Sequence, residues 1–410
     1  MTRRLATILA LVFAVLAVVA PRAQTPDPIL ILVSFDGWRW DYIDRAIVPN
    51  LKALAARGVR AKELIPSFPS LTFPNHYTIV TGLYPAHHGI VSNTMADPAL
   101  PERFRLSSPA VRDERWWGGE PIWVTAARQN RIAMDMFWPG SEAPIGGVRP
   151  NRWWPFDDKV PNEERVTRVL DWLALPPAER PAFVTLYFSE VDHVGHAKGP
   201  DSPDVMTAAE HLDTALGQLI AGVRRLGLED RATFVVVSDH GMAKHSAGQM
   251  IFLDAAVDPK SVDVISTGEL LQIAPRPGTV DAVYRALRGK LQHIAIYKGD
   301  EVPASLHYHG HPRIAPIVGT LDEGWSITTR EAEAKRRPDA EALGGMHGFD
   351  PKLRSMHGLF VAAGPTVKQG LLVEPFENIH IYDFLCAVLR LKPAPNDGDP
   401  KVTRSYLRQP

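Results

Sequence analysis

Three carboxylates and three imidazoles in this sequence have the types and spacing of metal ligands. Asp36, Asp192 and the pair Asp239-His240 each follow an apolar run of residues. His196 lies four residues after Asp192, and His347 lies in a Gly-Gly-Met-His-Gly segment. Zinc accepts mixed aspartate and histidine ligands, so this set is sufficient for two divalent ions.

The apolar runs that precede these ligands are typical of buried strands. They cover residues 29–35, 183–191 and 233–238. In an open α/β sheet, the chemistry occurs beyond the carboxyl ends of the strands. We therefore expect the three carboxylates to converge at one edge of a sheet, although roughly two hundred residues separate the first from the last.

Helical patterns alternate with these strands. Residues 49–57 and 202–227 have helical spacing, and Ser202-Pro203 is typical of an N-cap and first turn. Residues 359–363 predict another buried strand, and residues 379–391 predict a final helix. The alternation predicts an α/β fold with a mainly parallel central sheet and helices on both faces.

One stretch of the chain departs from this alternation. Residues 294–297 and 314–321 look like short strands among prolines and glycines. We interpret about 249–330 as a small inserted cap subdomain within a single domain that covers 24–410.

The first residues have the character of a secretory signal. Met-Thr-Arg-Arg precedes a long apolar run, so 1–23 is predicted to be a signal peptide, with an uncleaved membrane anchor as the alternative. The protein is then periplasmic or secreted. Cys386 is the single cysteine, so the chain forms no intrachain disulfide, and we expect this thiol to be buried.

The overall charge argues against large anionic partners. The formal net charge is -1 and the pI is near 7.0, so the chain has no general field for nucleic acid or an anionic membrane. We expect neither a nucleic-acid duplex partner nor a stable membrane partner after signal cleavage, and the oligomeric state is left open. An anionic substrate must be held by local charges.

Residues 66–77 read Pro-Ser-Phe-Pro-Ser-Leu-Thr-Phe-Pro-Asn-His-Tyr. This segment resembles the nucleophile region of the nucleotide pyrophosphatase/phosphodiesterase family of the alkaline phosphatase superfamily. Further matching segments lie on both sides of it in a fixed order. Val33–Gly37 precedes it, and Val191–His196, Ser238–Met242, Gly345–Gly348 and Lys392–Asn396 follow it. The likeness extends from about residue 29 to residue 396.

The resemblance implies an alkaline-phosphatase-like fold and two zinc sites. It assigns one zinc ion to Asp36, Thr72, Asp239 and His240, and the other to Asp192, His196 and His347. Three carboxylates and a Thr72 alkoxide balance the four positive charges of two Zn²⁺ ions. Thr72 is the implied nucleophile, because metal coordination activates an otherwise weak hydroxyl group.

The neighbours of Thr72 favour a phosphodiester substrate. Leu71 and Phe73 flank it, whereas a phosphomonoesterase must offset an additional negative charge. We expect the side-chain amide of Asn93 and the backbone N–H of Thr72 to donate to a phosphoryl oxygen.

The resemblance also implies a nucleobase site. It places the base between Phe73 and a tyrosine at the position of Tyr187, and aromatic stacking tolerates every base. Trp154 is a further residue that could line the substrate pocket.

Other histidines offer alternative ligands. His357 has a sequence context similar to that of His347, but the resemblance assigns the ligand to His347. His307, His309 and His311 alternate as if on one strand face, and we favour a role at the rim for them. His76 is expected to form hydrogen bonds within the nucleophile segment.

The implied function is zinc-dependent hydrolysis of phosphodiester and pyrophosphate bonds in nucleotides, which releases nucleoside 5′-monophosphates through a phosphothreonine intermediate. The main alternative is a choline-phosphodiester hydrolase of the same family, which would act on glycerophosphocholine or a lysophospholipid. A phosphomonoesterase or phosphonate hydrolase on the same fold and a non-catalytic zinc-binding protein are further alternatives. Relative rates on a nucleotide ester and a choline ester distinguish the first two.

Overall fold

A computed structural model of the chain describes residues 27–335 and 344–408. The predicted signal segment, 1–23, lies outside these residues. Within the described ranges, no helix combines the length and the apolar character that crossing a membrane requires.

The strands are numbered in chain order. Their bounds are Ile29–Phe35 (β1), Val59–Ala61 (β2), Leu64–Ile65 (β3), Thr94–Ala96 (β4), Arg103–Arg105 (β5), Ala133–Met136 (β6), Arg152–Trp153 (β7), Phe183–Phe188 (β8), Ala232–Val237 (β9), Ala243–Lys244 (β10), Met250–Phe252 (β11), Val262–Ser266 (β12), Leu270–Pro275 (β13), Ile294–Lys298 (β14), Ile317–Leu321 (β15), Ser326–Thr328 (β16), Gly345–Met346 (β17), Phe360–Ala363 (β18), Leu371–Val373 (β19) and Phe376–Glu377 (β20).

The α-helices are numbered in the same way. Their bounds are Tyr42–Arg45 (α1), Pro49–Ala56 (α2), Thr72–Thr81 (α3), Pro85–His88 (α4), Ile122–Arg128 (α5), Asn162–Leu173 (α6), Glu190–Lys198 (α7), Pro203–Arg225 (α8), Val280–Arg288 (α9), Arg330–Lys335 (α10), Ile381–Leu389 (α11) and Pro400–Arg404 (α12).

The central sheet has eight strands in the described part of the chain, in the order β19-β2-β18-β9-β1-β8-β6-β7. β18 is antiparallel to both of its neighbours, β9 and β2. The neighbouring pairs that do not involve β18 are parallel. The predicted mainly parallel sheet is therefore confirmed.

The register of the three central strands brings their carboxyl ends together. Phe35 at the end of β1 pairs with Phe188 at the end of β8, and Ser34 pairs with Val237 at the end of β9. The residues that follow these three strands consequently emerge at the same edge of the sheet.

The central strand is buried on both faces. Leu30 and Leu32 belong to one hydrophobic cluster, while Ile31, Val33 and Phe35 belong to a second cluster on the opposite face. Successive side chains in a strand point to opposite faces, so a continuous apolar run fits a sheet that is covered on both sides.

The helices predicted over residues 49–57 and 202–227 are present as α2 and α8. In α8, the Ser202 side chain accepts a hydrogen bond from the Asp204 amide, and Pro203 occupies the first turn. The buried carboxylate of Asp213, also in α8, accepts a hydrogen bond of 2.7 Å from the amide of Leu51 near the start of α2. These helices pack together on one face of the sheet.

Other boundaries differ from the sequence predictions. α3 begins at Thr72, although the segment that leads into it is rich in proline. Pro74 lies in the first turn of this helix, where a backbone N–H has no intrahelical acceptor and is not needed. β15 begins after Pro316, because proline has no N–H for the strand ladder. α11 covers only Ile381–Leu389 and α12 follows it, so the predicted final helix is not the last one.

The prediction for Cys386 is confirmed. The thiol is buried within α11. Burial raises the pKa of the Cys386 thiol to about 12, so it remains protonated at neutral pH.

A separate small sheet lies within 249–330. Its four antiparallel strands have the order β12-β13-β15-β14, and β11 and β16 form a parallel pair beside it. The hydrophobic cluster of this sheet also contains Met346, Phe349 and Met356, which lie beyond it in the sequence. The small sheet therefore packs against the segment that carries His347.

Candidate metal centre and nucleophile

The three predicted carboxylate ligands lie at the common edge of the central sheet. Asp36 directly follows β1, Asp239 follows β9, and Asp192 lies in the first turn of α7, which follows β8. Their exposed fractions are 1%, 1% and 8%, respectively. Buried carboxylates require partners, since burial of an isolated charge is costly.

The first group of ligands surrounds His240. Its Nε2 atom lies 3.0 Å from Asp239 Oδ2 and 3.5 Å from Asp36 Oδ1. The same nitrogen lies 3.3 Å from Thr72 Oγ1. The structure thus brings together the four residues that were predicted to hold one metal ion.

The second group surrounds Asp192. Its Oδ1 atom lies 3.5 Å from His196 Nε2 and 3.6 Å from His347 Nε2, and these two nitrogens are 3.1 Å apart. The rings of His347 and His240 are stacked with centroids 3.5 Å apart, so the two groups are adjacent.

Backbone carbonyls determine which nitrogen of each imidazole faces the site. The Nδ1 atoms of His196, His240 and His347 each lie 2.9 Å from a carbonyl oxygen, of Gly345, Gly241 and Ser70, respectively. A carbonyl oxygen only accepts, so each Nδ1 donates and each Nε2 presents a lone pair. This is the usual outer-shell arrangement of histidines that bind metals.

The remaining polar atoms of the site also fit a cation. Asp36 Oδ1, Asp192 Oδ1 and Asp239 Oδ2 are buried oxygens without a hydrogen-bond partner among the described residues. Two Nε2 lone pairs 3.1 Å apart repel each other unless a proton or a cation lies between them. The donor set therefore fits divalent metal ions.

Without a cation, the buried charges of the site destabilise one another. Burial, together with the charges of Asp239 and Asp192, raises the pKa of Asp36 well above its usual range. Burial and the neighbouring imidazoles hold the pKa of His347 well below its usual range. A bound cation favours the ionised aspartate and the neutral histidine, which are the forms that ligate metal.

His76 connects the nucleophile segment to the ligands. Its Nδ1 atom donates to the Thr72 carbonyl oxygen at 2.9 Å and lies 3.3 Å from Asp239 Oδ2. Its Nε2 atom lies 2.8 Å from Ser34 Oγ. Both nitrogens are therefore engaged, and the ring holds Thr72 and Asp239 in a common arrangement.

Asn93 lies beside the start of α3, where Thr72 is the first residue. Its Oδ1 atom accepts a hydrogen bond of 2.9 Å from the Phe73 amide, which leaves the Nδ2 group directed away from this bond. As the first residue of a helix, Thr72 has a backbone N–H without an intrahelical acceptor. The Thr72 N–H and the Asn93 side chain thus both lie at the start of α3.

Tyr187 is buried beside Asp36. It is 9% exposed, and its hydroxyl group donates to Asp36 Oδ2 at 2.5 Å. Its ring contacts the rings of His76 and Phe156. Stacking of Tyr187 on a nucleobase stays a prediction, while the hydrogen bond supports a role of Tyr187 in orienting Asp36.

Phe73 and Phe156 are partly exposed aromatic side chains near the site. Phe73 is partly exposed and rests on Phe104 and Trp117. Phe156 is 49% exposed and contacts Tyr187 edge to face. The spacing of the sequence contained no signal for Phe156, because it lies in an irregular segment.

Trp154 lies on the surface beside α6. It is 45% exposed, and the guanidinium group of Arg168 lies 4.2 Å from its ring centroid. One face of the ring is therefore covered by an arginine.

The remaining histidines lie outside the two ligand groups. His357 contacts Glu63 Oε2 at 2.5 Å and the Pro351 carbonyl oxygen at 2.8 Å. His307 has a φ of 49° and stacks on Tyr84, so the segment from His307 to His311 is not the strand that their alternation suggested.

The fold and the site together define an α/β protein of the alkaline phosphatase type. A family model described as type I phosphodiesterase / nucleotide pyrophosphatase matches residues 30–350. The chain belongs to this family.

Curated relatives support the same assignment. Ectonucleotide pyrophosphatase/phosphodiesterase family member 3 of Rattus norvegicus is 36% identical over 395 residues, which are 94% of this chain and 44% of the relative. The chain thus spans about half the length of such relatives. An uncharacterised pyrophosphatase/phosphodiesterase of Schizosaccharomyces pombe is 38% identical over 381 residues, which are 90% of this chain and 78% of that protein.

Solved structures of related proteins have the same fold. Human ectonucleotide pyrophosphatase/phosphodiesterase 5 is 33% identical, with a TM-score of 0.88 over 93% of this chain and 100% of that chain. An inactive threonine-to-alanine variant of the murine protein, in complex with AMP, is also 33% identical, with a TM-score of 0.87 and the same coverage.

Proposed function

We propose that this chain hydrolyses phosphodiester and pyrophosphate bonds in nucleotides and releases nucleoside 5′-monophosphates. We propose two Zn²⁺ ions as its cofactors and a phosphothreonine as its intermediate. The observation that carries this proposal is the position of Thr72 Oγ1, 3.3 Å from His240 Nε2 within the first group of metal-type ligands.

Thr72 is the proposed nucleophile. It is the first residue of α3, so the positive end of the helix dipole and the unpaired N–H groups face an approaching phosphate. Attack of Oγ1 on phosphorus forms the threonine–phosphorus bond as the bond to the leaving oxygen breaks. Water then cleaves the threonine ester.

We divide the ligands between two ions as the family resemblance implies, although His240 also lies close to Asp192 and His347. Asp36, Asp239, His240 and Thr72 would hold the ion on the side of the nucleophile, while Asp192, His196 and His347 would hold the other. When bound, the ions stabilise the threonine alkoxide and polarise the phosphoryl oxygens. The carbonyl contacts of the three histidines keep Nε2 available for this role.

Asn93 and the Thr72 backbone amide provide the proposed donors to a non-bridging phosphoryl oxygen. The bond from the Phe73 amide to Asn93 Oδ1 fixes the orientation of the side chain before the substrate binds. Such preorganised donors stabilise charge that develops in the transition state. Neither donor adds a positive charge, which suits a diester better than a dianionic monoester.

Phe73 and Phe156 are the proposed contacts for the nucleobase. Both rings are partly open to solvent, whereas Tyr187 is buried against Asp36. The murine structure with AMP supports a nucleotide as the ligand in the family fold. We also propose export to the periplasm or the medium, on the basis of the signal-like segment 1–23.

The test compares wild type with Thr72→Ala and Thr72→Ser on the p-nitrophenyl ester of thymidine 5′-monophosphate. We expect Thr72→Ala to lose at least about 10³-fold in kcat, as removal of a nucleophile does, with nearly unchanged zinc content. Thr72→Ser should retain part of the activity and form a phosphoserine.

The control substrates are p-nitrophenylphosphocholine and p-nitrophenyl phosphate. Preference for the choline ester would preserve the mechanism and contradict the nucleotide assignment. Preference for the monoester would contradict the charge argument around Thr72, and unchanged turnover in Thr72→Ala would contradict its role as nucleophile.

A further inference from the structure

A fourth carboxylate, from the inserted sheet, reaches the edge of the metal centre. Glu269 directly precedes β13 and packs over the backbone of Gly348. A Cβ atom added at Gly348 would come within 2.2 Å of Glu269 Cγ and 2.9 Å of Leu71 Cδ2. Glu269 therefore lies beside the residue that follows His347 and the residue that precedes Thr72.

The surroundings of Glu269 contain imidazoles but no ion-pair partner. In the described ranges, no lysine or arginine forms an ion pair with its carboxylate, and its hydrogen bond is to its own backbone amide. Burial raises the pKa of Glu269, and the charges of His196 and His240 oppose this effect. A cation bound between these imidazoles also favours the ionised carboxylate.

Glu269 lies on the side of the site from which the leaving group is expected to depart. In an in-line displacement, the leaving oxygen departs on the side opposite to Thr72 Oγ1. The second ligand group, which contains His196 and His347, is the one without the proposed nucleophile, and Glu269 packs on Gly348, the residue that follows His347. The mechanism proposed above does not use this carboxylate.

We infer, on the basis of the proposed function, that Glu269 sets the leaving-group specificity: its charge disfavours strongly anionic leaving groups and so favours dinucleotides over nucleoside triphosphates. Like charges in a poorly solvated site repel each other even when they are not in contact. Glu269 is thus a specificity-determining residue supplied by the inserted sheet, not a metal ligand.

The test uses two substrates that share the transferred group. ATP and NAD both donate AMP to the nucleophile, but ATP releases pyrophosphate, whereas NAD releases nicotinamide mononucleotide, which carries less negative charge. We expect wild type to prefer NAD, and Glu269→Gln to raise kcat/KM for ATP relative to NAD by roughly tenfold. Glu323→Gln removes the same charge from an exposed turn of the inserted segment and should leave the ratio unchanged.

A second readout does not depend on turnover. In the Thr72→Ala background, Glu269→Gln should strengthen the binding of ATP relative to AMP, as measured by calorimetry. The inference would be overturned if Glu269→Gln changed neither the ratio of kcat/KM for ATP and NAD nor the ratio of the affinities for ATP and AMP. A loss of bound zinc with an equal loss of activity on both substrates would also overturn it. Absence of turnover on either substrate by wild type would instead count against the proposed function, and the binding experiment would still decide the role of Glu269.

Discussion

The hydroxyl group of Tyr187 donates a hydrogen bond of 2.5 Å to Asp36 Oδ2, so a buried aromatic residue of β8 orients a predicted ligand at the end of β1. The burial of Tyr187 and the nearby Asp36 charge raise the pKa of this hydroxyl group well above its usual range, which keeps it a donor at neutral pH. The Tyr187→Phe variant should lose about 10- to 100-fold in zinc affinity, as the loss of an outer-shell partner typically does.

Competition with a chromogenic chelator measures this affinity. Because Tyr187→Phe retains the ring, a stacking role predicts no change in zinc affinity. It also predicts an unchanged KM. Unchanged zinc affinity together with an unchanged KM would therefore contradict the role inferred from the hydrogen bond.

Phe156 should contribute to binding of the nucleobase. Its ring is 49% exposed, and Phe156→Ala removes a stacking surface worth roughly 1–3 kcal/mol per base. We expect about a tenfold loss in kcat/KM on the thymidine ester, mainly through KM. Bis(p-nitrophenyl) phosphate has no base, so its hydrolysis should change little; an equal loss on both substrates would indicate a general distortion of the site.

Arg165 should position the segment that carries Phe156. This buried side chain of α6 donates to the carbonyl oxygens of Val160, Tyr187 and Asp158 at 2.9, 3.1 and 3.2 Å. Arg165→Met would remove these three hydrogen bonds, of which the one to Tyr187 is buried, at a cost of about 3 kcal/mol in the free energy of unfolding. It should also raise KM more than it lowers kcat.

Arg165→Lys tests whether one ammonium group in place of the guanidinium group restores part of the lost stability and of the KM. Denaturant unfolding measures stability, and the KM of the thymidine ester measures positioning. Arg225→Met, at an exposed position of α8, is the matched control. A loss of stability with unchanged KM would assign Arg165 a purely structural role.

Asp135 should make stability depend on pH. It is fully buried in β6, and burial raises the pKa of its carboxyl group to about 7. Between the unfolded pKa of about 4 and this folded value, the native state retains a proton that the unfolded state loses. The stability contributed by protonated Asp135 is therefore complete below about pH 4 and is lost progressively as the pH rises to about 7.

Asp135→Asn replaces the neutral acid with a neutral amide of similar shape. Relative to wild type, the variant should gain stability with rising pH over this window, by up to about 4 kcal/mol at pH 7. Denaturant unfolding at pH 5, 6 and 7 measures the difference. A difference that does not vary with pH would show that Asp135 does not titrate in this range.

The three carboxylates were predicted as ligands because each comes at the end of an apolar, strand-like run. The apolar runs before Asp36 and Asp239 indicate parallel strands buried on both faces, and the register of β1 with β8 and β9 brings their ends together. The helix that begins at Thr72 was not predicted, because the prolines around it conceal a helix whose first turn tolerates one of them.

The sequence by itself determined the α/β architecture, because strand periodicity is a local property, and its resemblance to the family predicted the ligands and the nucleophile. The tertiary structure alone decided which side chains surround them. It directed Tyr187 to Asp36, left Phe156 open, and brought Glu269 from the inserted sheet to Gly348. These contacts depend on side-chain direction and on packing between segments that are distant in the chain, and no local pattern records either.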